Sequence, residues 1–202
     1  ELEYCSTEDT ITDTWVYDSF NAMIEFVNNN DGEAFKKGIR NYVDIERTID
    51  SMLYTWIIMA ADNVSKNILW VCYDGTHWNS SMYDMDGVFG LVWDGLRYYN
   101  PNDINLYHYI ENSNVLWAKI YSNFKVDVIK RYLELRMSVL SKENVREKFV
   151  SFNDSISLLA FEAEKKKWTE VPSKETSNIK QITDFIDSRF LAMDTYFLTA
   201  IN

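Results

Sequence analysis

The chain has 202 residues, enough for one domain with a sizeable core, and 47% apolar composition excludes a disordered polypeptide. Six glycines and two prolines favour long helices over a turn-rich β-sandwich. A formal charge of −11 leaves no positive field to attract a nucleic-acid backbone, whereas divalent cations are compatible with it.

In chain order, the N-terminus ELEYCSTEDT has neither an initiator Met nor a signal-peptide pattern, and the chain is read as one domain cut from something longer. Residues 15–27 set Trp15, Val16, Ser19, Phe20, Met23, Ile24 and Val27 at helical spacing, and NNNDG (28–32) ends that helix. A short helix follows from Glu33 to Ile39. Asp44 is the expected N-cap of a helix to about Ala61, with Ile45, Ile49, Met52, Leu53, Trp56, Ile57 and Ala60 on its buried stripe. ILWVCY (68–73) reads as a strand, Asp74-Gly75 as a hairpin turn and Met82–Met85 as the returning strand. GVFGLVWDG (87–95) reads as a loop.

Beyond Asn112 helices are expected at Leu116–Tyr121 and Val126–Leu140. A third is capped by Ser141 and runs through Lys167, with Val145, Phe149, Phe152, Ile156, Leu159 and Phe161 inward. EKKKW (164–168) is the solvated end of that helix, its lysines complementing the negative pole. VPSKETSN (171–178) is a break. Ile179, Ile182, Ile186, Phe190, Met193 and Phe197 then define a last helix. No apolar run reaches the length of a membrane span. Cys5, Cys72, His77 and His108 are too scattered for a disulfide framework or zinc site and are given no role. The fold class is mainly α with one small β-hairpin.

Carboxylates bracket that hairpin. Asp62 and Asn67 stand five residues apart before it, and Asp84 and Asp86 follow it. In an extended chain Asp84 and Asp86 point to one side, an arrangement that suits a cation. Taken alone, DxxxxN reads as an ordinary helix end, and DMDG as a turn. An EF-hand is excluded, because the twelfth positions counted from Asp84 and Asp86 are Gly95 and Arg97 rather than Glu. The order of loop Asp, loop Asn, hairpin and second Asp is that of the metal site in protein kinases.

Three stretches carry a closer resemblance. NYVDIERTIDSMLYTWIIMAADNVSKNILW, HWNSSMYDMDGVFG and WTEVPSKETSNIKQITDFIDSRFLAMDTYF together resemble the CotH kinase family, atypical relatives of protein kinases. In the second stretch Tyr83 stands where that family usually has Trp, and Met82 where Pro is common. The resemblance implies a kinase-like C-lobe. Asp62 would be the catalytic Asp, and Asn67 and Asp84 would hold nucleotide-bound Mg²⁺ or Mn²⁺. Asp86 would help as a further metal ligand. ATP is the implied cofactor and a protein hydroxyl the implied acceptor. No Gly-rich strand pair and no Lys–Glu pair precede Asp62, so the N-lobe is expected to be missing and the fragment alone to be inactive. The alternative is a non-enzymatic, soluble structural protein on the same fold, such as a virion, tail or cell-surface component. In either case Trp70, Trp78, Tyr83 and Trp93 are expected to pack the hairpin and core; exposed, they would instead contact a sugar or a partner.

Overall fold

The computed structural model describes residues 14–92, 94–105, 110, 113–169 and 179–200. Cys5, Trp93, His108 and the 171–178 break lie outside them. The first elements are α1 (Trp15–Asn29), α2 (Gly32–Gly38), a 3-10 turn at Ile39–Asn41 and α3 (Ile45–Ile58). A second 3-10 turn, Ala61–Val64, leads to β1 (Ile68–Cys72) and β2 (Trp78–Met82). Then come α4 (Val115–Asn123), α5 (Lys125–Arg136), α6 (Lys142–Ser155), α7 (Leu158–Lys167) and α8 (Lys180–Thr199). None of the described helices is long and apolar enough to cross a membrane.

α3 is the axis of the core. Asp44 caps it as expected, its Oδ1 accepting from the Arg47 N–H at 3.0 Å. Every residue assigned to its stripe is at most 3% exposed. The helix packs against β2, α4, α5 and α8. Trp56 sits fully buried with its ring edge-on to Tyr121, Tyr196 and Phe197, contacts that join α3 to α4 and α8. In α1, Val16, Met23 and Val27 are buried, whereas Ile24 faces outward at 40% exposure. Ile186, Phe190, Met193 and Phe197 of α8 are buried as the spacing required.

The hairpin is antiparallel and pairs Ile68 with Met82 and Cys72 with Trp78. The returning strand is therefore Trp78–Met82, earlier than Met82–Met85. The connection is the longer loop 73–77, because the Asp74 carboxylate folds back onto the Thr76 and His77 amides. Past Met82 the strand cannot continue, since Asp84 has φ +51°. The Trp78 amide donates to the Tyr42 carbonyl at 2.7 Å, and its indole donates to Ser19 Oγ at 3.1 Å. Phe20 lies against both Trp70 and Trp78. These two tryptophans are thus packing residues, while Tyr83 is 57% exposed.

The single helix expected from Ser141 to Lys167 is two. Ile156 is extended, and Ser157 restarts the chain as a new N-cap by accepting from Ala160 N–H. The break rotates the second half, so the inward set is also corrected. Val145 and Phe149 pack against the core, but Phe152 and Leu159 are 67% and 76% exposed. Neither α6 nor α7 has a buried residue. Lys165, Lys166 and Lys167 are exposed in the last turn of α7, as expected.

Candidate active site at the open end of the hairpin

α3 ends at Met59, whose backbone is left-handed at φ +57°. The chain then drops into the 3-10 turn that carries Asp62. A helix leaves its last four carbonyls without intrahelical partners, and here each finds one. Thr55 O accepts from the Ala60 amide and Trp56 O from the Met59 amide. Trp56 O and Ile57 O also accept from the Arg189 guanidinium, at 2.6 and 3.3 Å. Ile58 O accepts from the Phe89 amide at 2.8 Å. The approach to Asp62 is thus fixed from two sides.

Asn63 then joins the two ends of the hairpin. It is 2% exposed, and its Nδ2 donates to Asn67 O at 2.9 Å and to Tyr83 O at 2.7 Å. The Tyr83 amide donates to Asn67 O at 3.0 Å. Asn67 Nδ2 reaches Asp84 O at 3.5 Å. Asn114 Nδ2 donates to Val64 O at 2.8 Å and pins the 3-10 turn to the start of α4.

Asn67 and Asp84 are therefore neighbours. Asp62 belongs to the same tied loop, its carbonyl accepting from the Lys66 amide. Its carboxylate is exposed and 4.0 Å from Lys66 Nζ. Asp84 and Asp86 are exposed on either side of Met85, which packs against the core. Among the described residues neither carboxylate accepts a hydrogen bond or forms an ion pair. The extended-chain reason for placing Asp84 and Asp86 on one side does not apply, because Asp84 is left-handed. Outward exposure is what they share.

Backbone strain gathers at the same place. The described non-glycine residues with positive φ are Met59, Asn67, Asp84 and Phe89. One ends α3, two flank the hairpin, and the last begins the Phe89-Gly90 step. Asn and Asp tolerate this region better than most residues, and such conformations persist where surroundings over-determine them.

The described residues hold no group of three His, Cys, Asp or Glu side chains suited to a metal ion. An all-protein cage is not what Mg²⁺ requires. It keeps several waters and takes one or two carboxylates plus phosphate oxygens. The hard oxygen donors of Asn67, Asp84 and Asp86 fit that demand.

Sequence reasoning gave no role to Asn63 or Arg189. Asn63 sits beside Asp62 in a stretch that reads as a turn, and only the hairpin register reveals that it reaches both strand ends. Arg189 lies on the apolar side of α8 among Phe185, Ile186 and Phe190 and is fully buried. A charged residue in the inward phase of a helix was the available signal. Burial lowers the Arg189 guanidinium to about 10, so it remains protonated at neutral pH.

No curated protein and no solved structure matches the chain. The family model described as CotH kinase protein matches residues 5–193, and the chain belongs to the CotH kinase family.

Proposed function

We propose that this chain is the metal-binding lobe of a CotH-like protein kinase, which in the intact protein transfers the γ-phosphoryl group of Mg-ATP to a protein hydroxyl. The observation that carries this reading is the juxtaposition at the open hairpin end. Asn67 Nδ2 donates to Asp84 O, and Asn63, in the turn bearing Asp62, donates to Asn67 O and to Tyr83 O, the residue before Asp84.

Phosphoryl transfer asks little covalent chemistry of the protein and much positioning and charge neutralisation. Asp62 would orient the acceptor hydroxyl and receive its proton as the new P–O bond forms and the bond from the γ-phosphorus to the bridging oxygen breaks, releasing ADP. Asn67 and Asp84 would hold the cation through oxygen, with Asp86 assisting from the next outward position. A bound Mg²⁺ or Mn²⁺ supplies neutralisation of the phosphate oxygens. The hydrogen bonds of Asn63 and Asn67 tie down the main chain that carries these donors, which would limit reorganisation at reaction.

Described residues 14–61 form helices and no strand pair, so nothing in them covers the phosphates of a nucleotide or offers them a strand lysine. The chain as given is therefore expected to transfer no phosphate by itself.

The test is transfer of radiolabelled phosphate from ATP by the full-length protein. Asp62→Ala and Asp84→Ala should each lower the rate by about a hundredfold or more. Undiminished transfer in both variants would assign the activity elsewhere, and no transfer in the parent would favour the structural reading.

A further inference from the structure

α8 contacts both backbone segments that carry the candidate site, through residues spaced four apart. Gln181 Nε2 donates to Phe89 O at 2.8 Å. The Phe185 ring lies edge-on to Phe89 with centroids 5.8 Å apart. Phe185 also closes over Gly90 so tightly that a Cβ there would stand 2.6 Å from its Cδ2. Arg189 donates to Trp56 O and Ile57 O at the end of α3, and to Pro101 O and Asp103 O at 3.2 and 2.7 Å. Residues 181, 185 and 189 fall on one side of a helix.

All four acceptors of these Arg189 hydrogen bonds are main-chain carbonyls. A buried cation needs compensation. The carbonyl end of α3 supplies part of it, because a cation is favoured at the negative pole of a helix. A planar guanidinium can donate in several in-plane directions at once, which an ammonium on a flexible stem cannot reproduce. The guanidinium therefore fixes where α3 stops, and so where the turn carrying Asp62 begins. Two turns and one turn earlier on the same helix, Gln181 and Phe185 fix the Phe89-Gly90 step that follows Asp84 and Asp86. The two segments meet directly as well, through the Phe89 amide on Ile58 O.

We propose that α8 is the brace that sets Asp62 and Asn67 against Asp84, with Arg189, Gln181 and Phe185 as positioning residues for the site. The metal-binding consequence rests on the function proposed above, and the geometric one does not. The residues touch no nucleotide or metal ligand side chain. They act on the backbone that holds those side chains.

Arg189→Lys keeps the charge and removes the fork. Gln181→Ala removes the grip on Phe89, leaves the buried cation in place, and serves if the lysine variant does not fold. Two measurements on this chain separate the possibilities. The first is native-state hydrogen exchange. In Arg189→Lys the amides of Ala60, Asn63 and Lys66 should exchange about tenfold faster, and in Gln181→Ala the Phe89 amide should do so, with mid-α5 amides changed less than about twofold. Equal acceleration in α5, or none at those amides, would reduce the stripe to ordinary packing and overturn the proposal. The second is Mn²⁺ affinity by electron paramagnetic resonance, with Asp84→Ala as reference. Weakening by about tenfold in the brace variants is expected. Mn²⁺ affinity equal to the parent's in brace variants that show the local exchange change would overturn the positioning role. If the parent itself binds no better than Asp84→Ala, the metal assignment fails while the exchange pattern still decides the brace.

Discussion

The two ends of the hairpin carry similar residues put to different use. At the tip, Asp74 is saturated by its own loop. Its Oδ1 accepts from the Thr76 and His77 amides at 2.9 and 2.7 Å and from Thr76 Oγ1 at 3.2 Å. Its Oδ2 meets His77 Nδ1 at 2.6 Å. The His77 amide, then the Thr76 amide and the imidazole, hold the Asp74 carboxyl far below its ordinary range. His77 Nε2 faces Arg40 O at 3.1 Å, so both ring nitrogens meet acceptors, and the bond to Asp74 raises the imidazole above its usual value. At the open end, the Asp84 and Asp86 carboxylates accept nothing from the described residues, and Asp84 sits in a backbone conformation that costs energy. A carboxylate whose lone pairs are filled by its own turn is explained by folding. The exposed Asp84 and Asp86 carboxylates are left to solvent, and they are the ones proposed above to take a cation.

Glycine substitutions should show the largest contrast between the ends. Gly75 has φ +80° with nothing near its missing Cβ, whereas Gly90 has φ +85° and a Cβ would overlap the Phe185 ring. Gly75→Ala should cost about 1 kcal/mol, from the backbone alone, and Gly90→Ala about 3 kcal/mol, from backbone and overlap together. Urea unfolding of both variants reads the difference. Equal losses would mean that α8 does not clamp the site side.

Asp74→Ala should come next. It removes the acceptor of two loop amides and the partner of His77, and should lower the melting temperature by several degrees, read by calorimetry. Any response to metal should stay as in the parent.

pH offers a gentler probe of the tip. His77 is raised above its ordinary 6.5, so its contribution is fully present below that value and is lost as pH rises through the higher folded value. Asp74 is lowered from its ordinary 3.8, so its contribution is present above that value and is lost as pH falls. Melting temperature should therefore decline from pH 6 to pH 9 in the parent and decline less in His77→Gln. Identical slopes would remove the imidazole–carboxylate pair from the account of the tip.

The smallest change is expected for Asp84→Gly. The substitution relieves the left-handed backbone and removes an exposed side chain with no described partner, so the melting temperature should stay within about 2 °C of the parent. A loss of more than that would show that Asp84 is structural.

Most of the architecture was legible in the sequence where one physical signal dominated. The α3 stripe, the Asp44 cap and the α8 spacing each follow from burying one face of a helix. The hairpin was legible as a pair of strands, but its register was not. The loop is longer than Asp74-Gly75 because side-chain hydrogen bonds of Asp74 define it, and composition does not encode that choice. The region 141–167 misled because Val145, Phe149, Phe152 and Leu159 keep a helical period across Ser157, which nevertheless caps a new helix. The acids of the candidate site were visible from spacing. The groups that hold them, Asn63 and Arg189, were not, because each acts on main-chain carbonyls distant in sequence.

The most direct test of the contrast is the melting temperature of this chain with and without Mg²⁺ or Mn²⁺, compared with Asp84→Ala and Asp74→Ala. A ligand that binds only the folded state raises its melting temperature. The expected result is a rise of about 2 °C at millimolar metal in the parent and in Asp74→Ala, absent in Asp84→Ala. A rise that survives in Asp84→Ala but disappears in Asp74→Ala, or no rise in any of the three, would contradict the assignment of the open end as the metal site.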